Sequence, residues 1–143
     1  MQASISTNLH KGKLPISDLA FTDQAEFIRT VRQGLPGSVV QSAIELLGDR
    51  DIFIRLLNTT SGNLSRFYRK KNLGRVDSEE LLDTLRVFFQ AQGVWESDDL
   101  AREWLHTAVP ALNGERPIDL FDTFEGRNWV RQVLRKIERG EFS

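Results

Sequence analysis

The chain has no cysteine in its 143 residues, so it offers neither a disulfide framework nor a thiolate metal site. That fits a reducing cytoplasm better than a secretory fate. His10 and His106 are its only imidazoles. No apolar run approaches the roughly 20 residues that a membrane span requires, and the opening MQASISTNLHKGK has no hydrophobic signal core. No nucleophile–base pair, glycine-rich phosphate loop or metal-ligand spacing is visible, so catalysis, a cofactor and a bound metal are not expected. The adjacent carboxylates Glu79–Glu80 and Asp98–Asp99 stand at helix starts, where capping and the helix dipole explain them. Strand alternation, internal repeats and low-complexity tracts are missing too. What remains is a chain long enough for one compact domain, or for two small helical modules that share a core.

The net charge of −1 conceals a segregation. Residues 1–48 hold four basic and four acidic groups, residues 49–75 hold seven and two, and residues 76–143 hold eight and fourteen. A basic island in an acidic chain is the pattern expected when one stretch meets phosphate and the rest meets something else. A solvated, charged helix face is the plainer explanation of the same residues.

Apolar spacing predicts helices throughout. Residues 1–21 are polar, aperiodic and carry Pro15, and read as a flexible N-terminal arm. A helix capped by Thr22 presents Ala25, Phe27, Ile28 and Val31 and ends at Gly34. A second, capped by Ser38, presents Val39, Val40, Ala43, Ile44, Leu46 and Leu47 before Gly48. The apolar faces of residues 22–47 are the expected dimer surface. Further on, residues 76–92 form a longer helix with Asp77 or Ser78 near its cap and Gly93 at its end. Residues 97–108 form a shorter helix, and residues 125–140 form the last, with Trp129, Val130, Val133, Leu134 and Ile137 inward. Asn113–Gly114 marks a turn, and Pro117 opens a helical turn.

Within the basic island, residues 51–57 and 61–70 have the anatomy of a helix-turn-helix. Phe53, Leu57, Leu64 and Phe67 fall where that motif needs contacts between its helices, and Asn58 falls where the turn demands a left-handed residue. Ile54 departs from the pattern by standing where close approach favours Ala or Gly. The outward face then carries Ser61, Asn63, Ser65, Arg66 and Arg69. These are chemistries suited to base edges, while Lys70, Lys71 and Arg75 suit phosphates.

The stretch AREWLHTAVPALNGERPIDLFDTFEGRNWVRQVLRKIERG supplies a further pattern. Its Ala101, Trp104–Leu105, Thr107, Ala111–Leu112, Asn113–Gly114, Pro117, Leu120, Thr123, Glu125–Gly126, Val130, Leu134, Ile137 and Gly140 resemble the C-terminal toxin-binding domain of the MbcA/ParS/Xre antitoxins. The resemblance extends upstream to about residue 35. It departs at Ala108, where the family often has proline, and more widely in the helix-turn-helix.

The resemblance implies an all-α fold, with a helix-turn-helix module at residues 22–76 packed against a C-terminal toxin-binding domain at residues 77–143. It implies a type II antitoxin that occludes the active site of a RES-type, NAD-consuming toxin. It also implies repression of its own operon, as a homodimer or larger hetero-oligomer on a palindromic operator. The exposed residues expected to meet the toxin are Arg131, Arg135, Arg139, Glu141, Phe142 and Ser143, with the arginines suited to covering a pyrophosphate-binding pocket and Phe142 to anchoring. Two other readings stay open: a stand-alone transcriptional regulator, and a toxin-binding module whose helix-turn-helix is only scaffold.

Overall fold

The computed structural model describes residues 14–141, and among them every regular element is helical. In chain order these are α1 (Gln24–Gln33), α2 (Ser38–Leu47), α3 (Asp51–Leu56), α4 (Leu64–Tyr68), α5 (Arg75–Trp95), α6 (Asp98–Leu105) and α7 (Phe124–Glu138). Three 3-10 turns, Asp18–Phe21, Pro110–Leu112 and Pro117–Leu120, join them.

The organising element is α5. Its Leu81, Leu82, Leu85, Val87, Phe88 and Ala91 are all fully buried, a spread around the whole circumference that only a central helix tolerates. Helices α1, α2, α6 and α7 pack around it. The resulting apolar core is continuous from Leu14 to Leu134. No helix of the described residues is long and apolar enough to cross a membrane.

Local chemistry sets three of the seven numbered helix starts. Asp23, Ser97 and Thr123 have extended backbones, and their side chains accept hydrogen bonds from the amides of Glu26, Leu100 and Gly126. Each thereby satisfies a donor that the helix itself leaves open. The first cap is therefore Asp23 and not Thr22. Gly37, rather than Ser38, precedes α2, for a packing reason: a Cβ there would lie 1.9 Å from the Phe67 carbonyl oxygen. The Gly37 amide donates to the Lys70 carbonyl at 2.9 Å, so α2 and the end of α4 touch backbone to backbone.

Three other expectations change. Residues 14–21 are not a free arm: Leu14, Ala20 and Phe21 are buried, and the Phe21 ring meets Phe89 edge-on at 4.9 Å. Burial of a few scattered apolar side chains leaves no periodic signal, which is why this segment reads as unstructured; residues 1–13 of the expected arm lie outside the described residues. Gly93 does not end α5, which runs to Trp95 and closes at Glu96 in the left-handed region, φ 55°. A mid-helix glycine costs about 1 kcal/mol, and contact between Trp95 and Trp104 (ring centroids 6.2 Å apart) holds the extra turn in place. Ser78 is not a cap. It is fully buried, accepting from the Leu35 amide at 2.9 Å and donating to the Leu73 carbonyl at 3.3 Å.

Candidate functional site

The basic stretch is built as a short helix, a turn and a shorter helix. Asn58 adopts the left-handed conformation expected of it, φ 50°, and Phe53, Leu57 and Leu64 are buried between the elements, with Phe67 half-buried. The second helix is only Leu64–Tyr68, shorter than the expected residues 61–70. Residues 61–63 form a turn because Thr60 acts as a local cap. Its hydroxyl accepts from the Asn63 amide at 3.2 Å, and its carbonyl accepts from Leu64 at 3.0 Å.

Two groups of polar and basic side chains stand out among the described residues. Asn63, Arg66, Arg69, Lys70, Lys71 and Arg75 are exposed, and Ser65 is half-exposed. Lys70 Nζ sits 4.6 Å from the centre of the Phe67 ring, and Arg75 lies 3.5 Å from Glu79. Ser61 is exposed, but Arg50 occupies it, donating to both its hydroxyl (2.6 Å) and its carbonyl (2.9 Å). Ser61 is thus half committed to bracing the turn. Besides Ser61, six of the eight sequence-predicted residues are exposed: Asn63, Arg66 and Arg69 in or beside α4, Lys70 and Lys71 in the loop after it, and Arg75 at the start of α5.

The second group joins α5 to α7. Arg127 is 1% exposed, and its guanidinium donates to Asp83 at 2.7 Å, to both Glu80 oxygens at 3.1 and 3.2 Å, and to the Phe121 carbonyl at 2.8 Å. Arg131 and Arg86 also pair with Asp83. Burial pushes the Asp83 carboxyl up, but hydrogen bonds and charge from Arg86, Arg131 and Arg127 outweigh it and hold the group below its ordinary range.

Two expectations are sharpened by this network. Arg131, expected at the surface, is mostly buried: its side chain is 13% exposed and pairs with Asp83 and Asn128. Glu80 is a partner of Arg127 and not merely a carboxylate at a helix start. An acid inside the apolar run LLDTLRVFF was the signal that α5 carries a buried charge.

Beside the network, α7 and the Pro110–Leu112 turn enclose an open groove of about 220 Å³, floored by Val109, Pro110, Trp129, Val133 and Ile137 and rimmed by Lys136 and Glu141. Trp129 and Ile137 are inward residues of the predicted last helix and do pack against the core, yet both stay half-exposed because their other side lines this groove. Arg135 and Arg139 are exposed nearby on the same helix, with Arg139 donating to Glu141 at 2.8 Å. Phe142 and Ser143 lie outside the described residues.

The remaining polar groups brace the scaffold. Arg102 Nε donates to the Leu46 carbonyl, and His106 Nε2 donates to the Leu47 carbonyl, both at 2.9 Å, so α6 covers the open carbonyl end of α2. Asp99 pairs with Arg102, and Asp98 accepts from Gln92. Arg55 of α3 reaches the Asp119 carbonyl at 3.4 Å and Asp122 at 3.6 Å, tying the basic stretch to the C-terminal half.

Among known proteins, the match to a family model falls on the C-terminal half, while a curated relative aligns along most of the chain. Residues 90–140 match the antitoxin Xre/MbcA/ParS C-terminal toxin-binding domain. A protein of Sphingobium sp. (strain YBL2), named Prs ADP-ribosylating antitoxin, is 26% identical to this chain over 127 residues, covering 81% of this chain and 80% of the relative. The matched domain contains the end of α5, the groove and all of α7.

Proposed function

We propose that this chain, whose residues 90–140 match the Xre/MbcA/ParS antitoxin toxin-binding domain, is an antitoxin of that family that neutralises a RES-type, NAD-consuming toxin by seating α7 and its groove against the entrance to the toxin's active site. The observation that carries this reading is the coincidence of the toxin-binding match with an open apolar groove on the outer side of α7. An apolar floor about the size of one or two side chains supplies the anchor, and a charged rim supplies orientation. The cations facing outward there are Arg135, Lys136 and Arg139, suited to a pocket that binds a pyrophosphate. The name of the Sphingobium relative couples an antitoxin to ADP-ribosylation, a reaction that draws its donor from NAD, in keeping with such a toxin.

Co-expression with a RES-type, NAD-consuming toxin tests the proposal. Growth rescue and co-purification are expected, and Ile137→Asp should weaken both while leaving the circular dichroism unchanged. Full rescue by a folded Ile137→Asp variant overturns the groove as the docking site.

A second role, autorepression through operator DNA, is favoured by the exposed cations of α4 and the following loop, on a turn braced by Asn58 and Thr60. Its mark is a shift of a fragment of the chain's own promoter that weakens steeply as salt rises. A promoter that stays unshifted at low salt overturns it.

A further inference from the structure

Apolar faces read from the sequence mostly close within this chain: Val39, Val40, Ala43 and Leu47 of α2, expected as part of a dimer surface, are fully buried in its own core. The groove on the outer side of α7 differs, because its apolar floor stays open. Helix α7 ends beside it in a specific way. The Gly140 amide donates to the Ile137 carbonyl at 2.9 Å and the Glu141 amide to the Lys136 carbonyl at 2.7 Å, with Gly140 in the left-handed region at φ 79°. This pair of bonds reverses the chain and lays Glu141 back against the groove, where it forms part of the wall with Lys136 and Ile137. The next residue is Phe142, the one apolar side chain between Ile137 and Ser143. We propose that Phe142 seats its ring in this groove in the free chain and competes there with the toxin.

Reach, size and ordering cost all favour this occupant. With Glu141 already on the wall, the Cα of Phe142 follows at about 3.8 Å from its own, within a side chain's length of the floor. The groove of about 220 Å³, floored by Val109, Pro110, Trp129, Val133 and Ile137, has room for one aromatic ring, and Trp129 offers it a ring contact. Only one residue beyond the turn must be ordered, and it meets the floor at the high effective concentration of an intramolecular group, whereas any separate partner arrives from dilute solution. The sequence suggests Phe142 as an anchor in the toxin; the turn at Gly140 instead returns the chain toward its own helix. Occupancy of the groove stands without the toxin-binding reading, and the competition rests on it.

Solution NMR of the full chain tests the occupancy. Nuclear Overhauser contacts are expected from the Phe142 ring to the Trp129 indole and to the Val133 and Ile137 methyls, and Phe142→Ser should shift those three sets of resonances. Gly140→Val, which keeps Phe142 but strains the left-handed turn, should lose the contacts. A Phe142 ring with no contact to these residues overturns the proposal. The competition is read from the affinity for a RES-type, NAD-consuming toxin, which Phe142→Ser should tighten by about three- to tenfold, because the groove no longer has to be vacated first. Weaker binding overturns the proposal, since Phe142 is then an anchor for the toxin. Unchanged binding with the contacts in place leaves Phe142 in the groove and overturns the groove as the toxin's docking site.

Discussion

The same residue type does opposite work at the two ends of this molecule. On α4 and the loop after it, Arg66 and Arg69 reach into solvent, where a guanidinium remains hydrated and available to a partner. On α7, Arg127 is sealed against Asp83, Glu80 and the Phe121 carbonyl, and Arg131 is largely committed to Asp83. A buried ion of this kind is costly to desolvate and costlier to leave unpaired. The comparison shows that positive charge alone does not mark a binding surface: what the neighbouring helix offers decides. Where α5 presents carboxylates, arginine becomes scaffold. At the outer side of α4 and its loop, arginine remains free to meet a ligand.

The difference can be broken most severely at the buried end. Arg127→Met leaves Asp83 and Glu80 short of a partner, and breaking a buried pair should destabilise by about 3–5 kcal/mol, read from denaturant midpoints. Acid should probe the same cluster. A carboxylate whose folded pKa is depressed stabilises fully above its unfolded value near 3.9 and loses that contribution as pH falls through the folded value. Stability should therefore drop below about pH 4, and Asp83→Asn should flatten this part of the profile while lowering stability at neutral pH.

Two glycine substitutions compare the regions directly. Gly126→Ala would set a Cβ 2.0 Å from the Leu120 carbonyl oxygen, and Gly37→Ala would set one 1.9 Å from that of Phe67. Overpacking of this sort costs about 1–3 kcal/mol; only Gly37→Ala should also disturb the basic face, seen as altered amide shifts in α4. A milder change is Thr123→Ala, which removes the α7 cap and should cost about 1 kcal/mol by thermal melting. The smallest stability effect belongs to Arg66→Ala with Arg69→Ala, within about 0.5 kcal/mol of wild type, although the same pair should abolish any promoter shift.

Much of this was legible from local chemistry. Asn58 takes the left-handed conformation expected of it, Asn113 stands in the turn expected there, Ser97 caps α6, and Pro117 opens a 3-10 turn. Such features depend on a residue and its immediate neighbours. The exposed Asn63, Arg66, Arg69, Lys70 and Lys71 could be named because polar and basic residues crowd into one short stretch of the sequence. Misplaced features were those whose partners are distant in sequence. Arg131 looks like any other arginine on α7 until Asp83, 48 residues away, is set beside it. Trp129 and Ile137 carry core periodicity, yet the elements around them leave a groove and not a lid.

The amino-acid order by itself determined that the described chain is helical, where most turns fall and where positive charge accumulates, because periodicity, capping and composition act over a few residues. Tertiary structure alone decided that residues 14–21 join the core, that α2 spends its apolar face inside the chain, and which arginines remain at the surface. Those outcomes turn on desolvation and close packing, whose cost is set by whatever arrives from elsewhere in the chain.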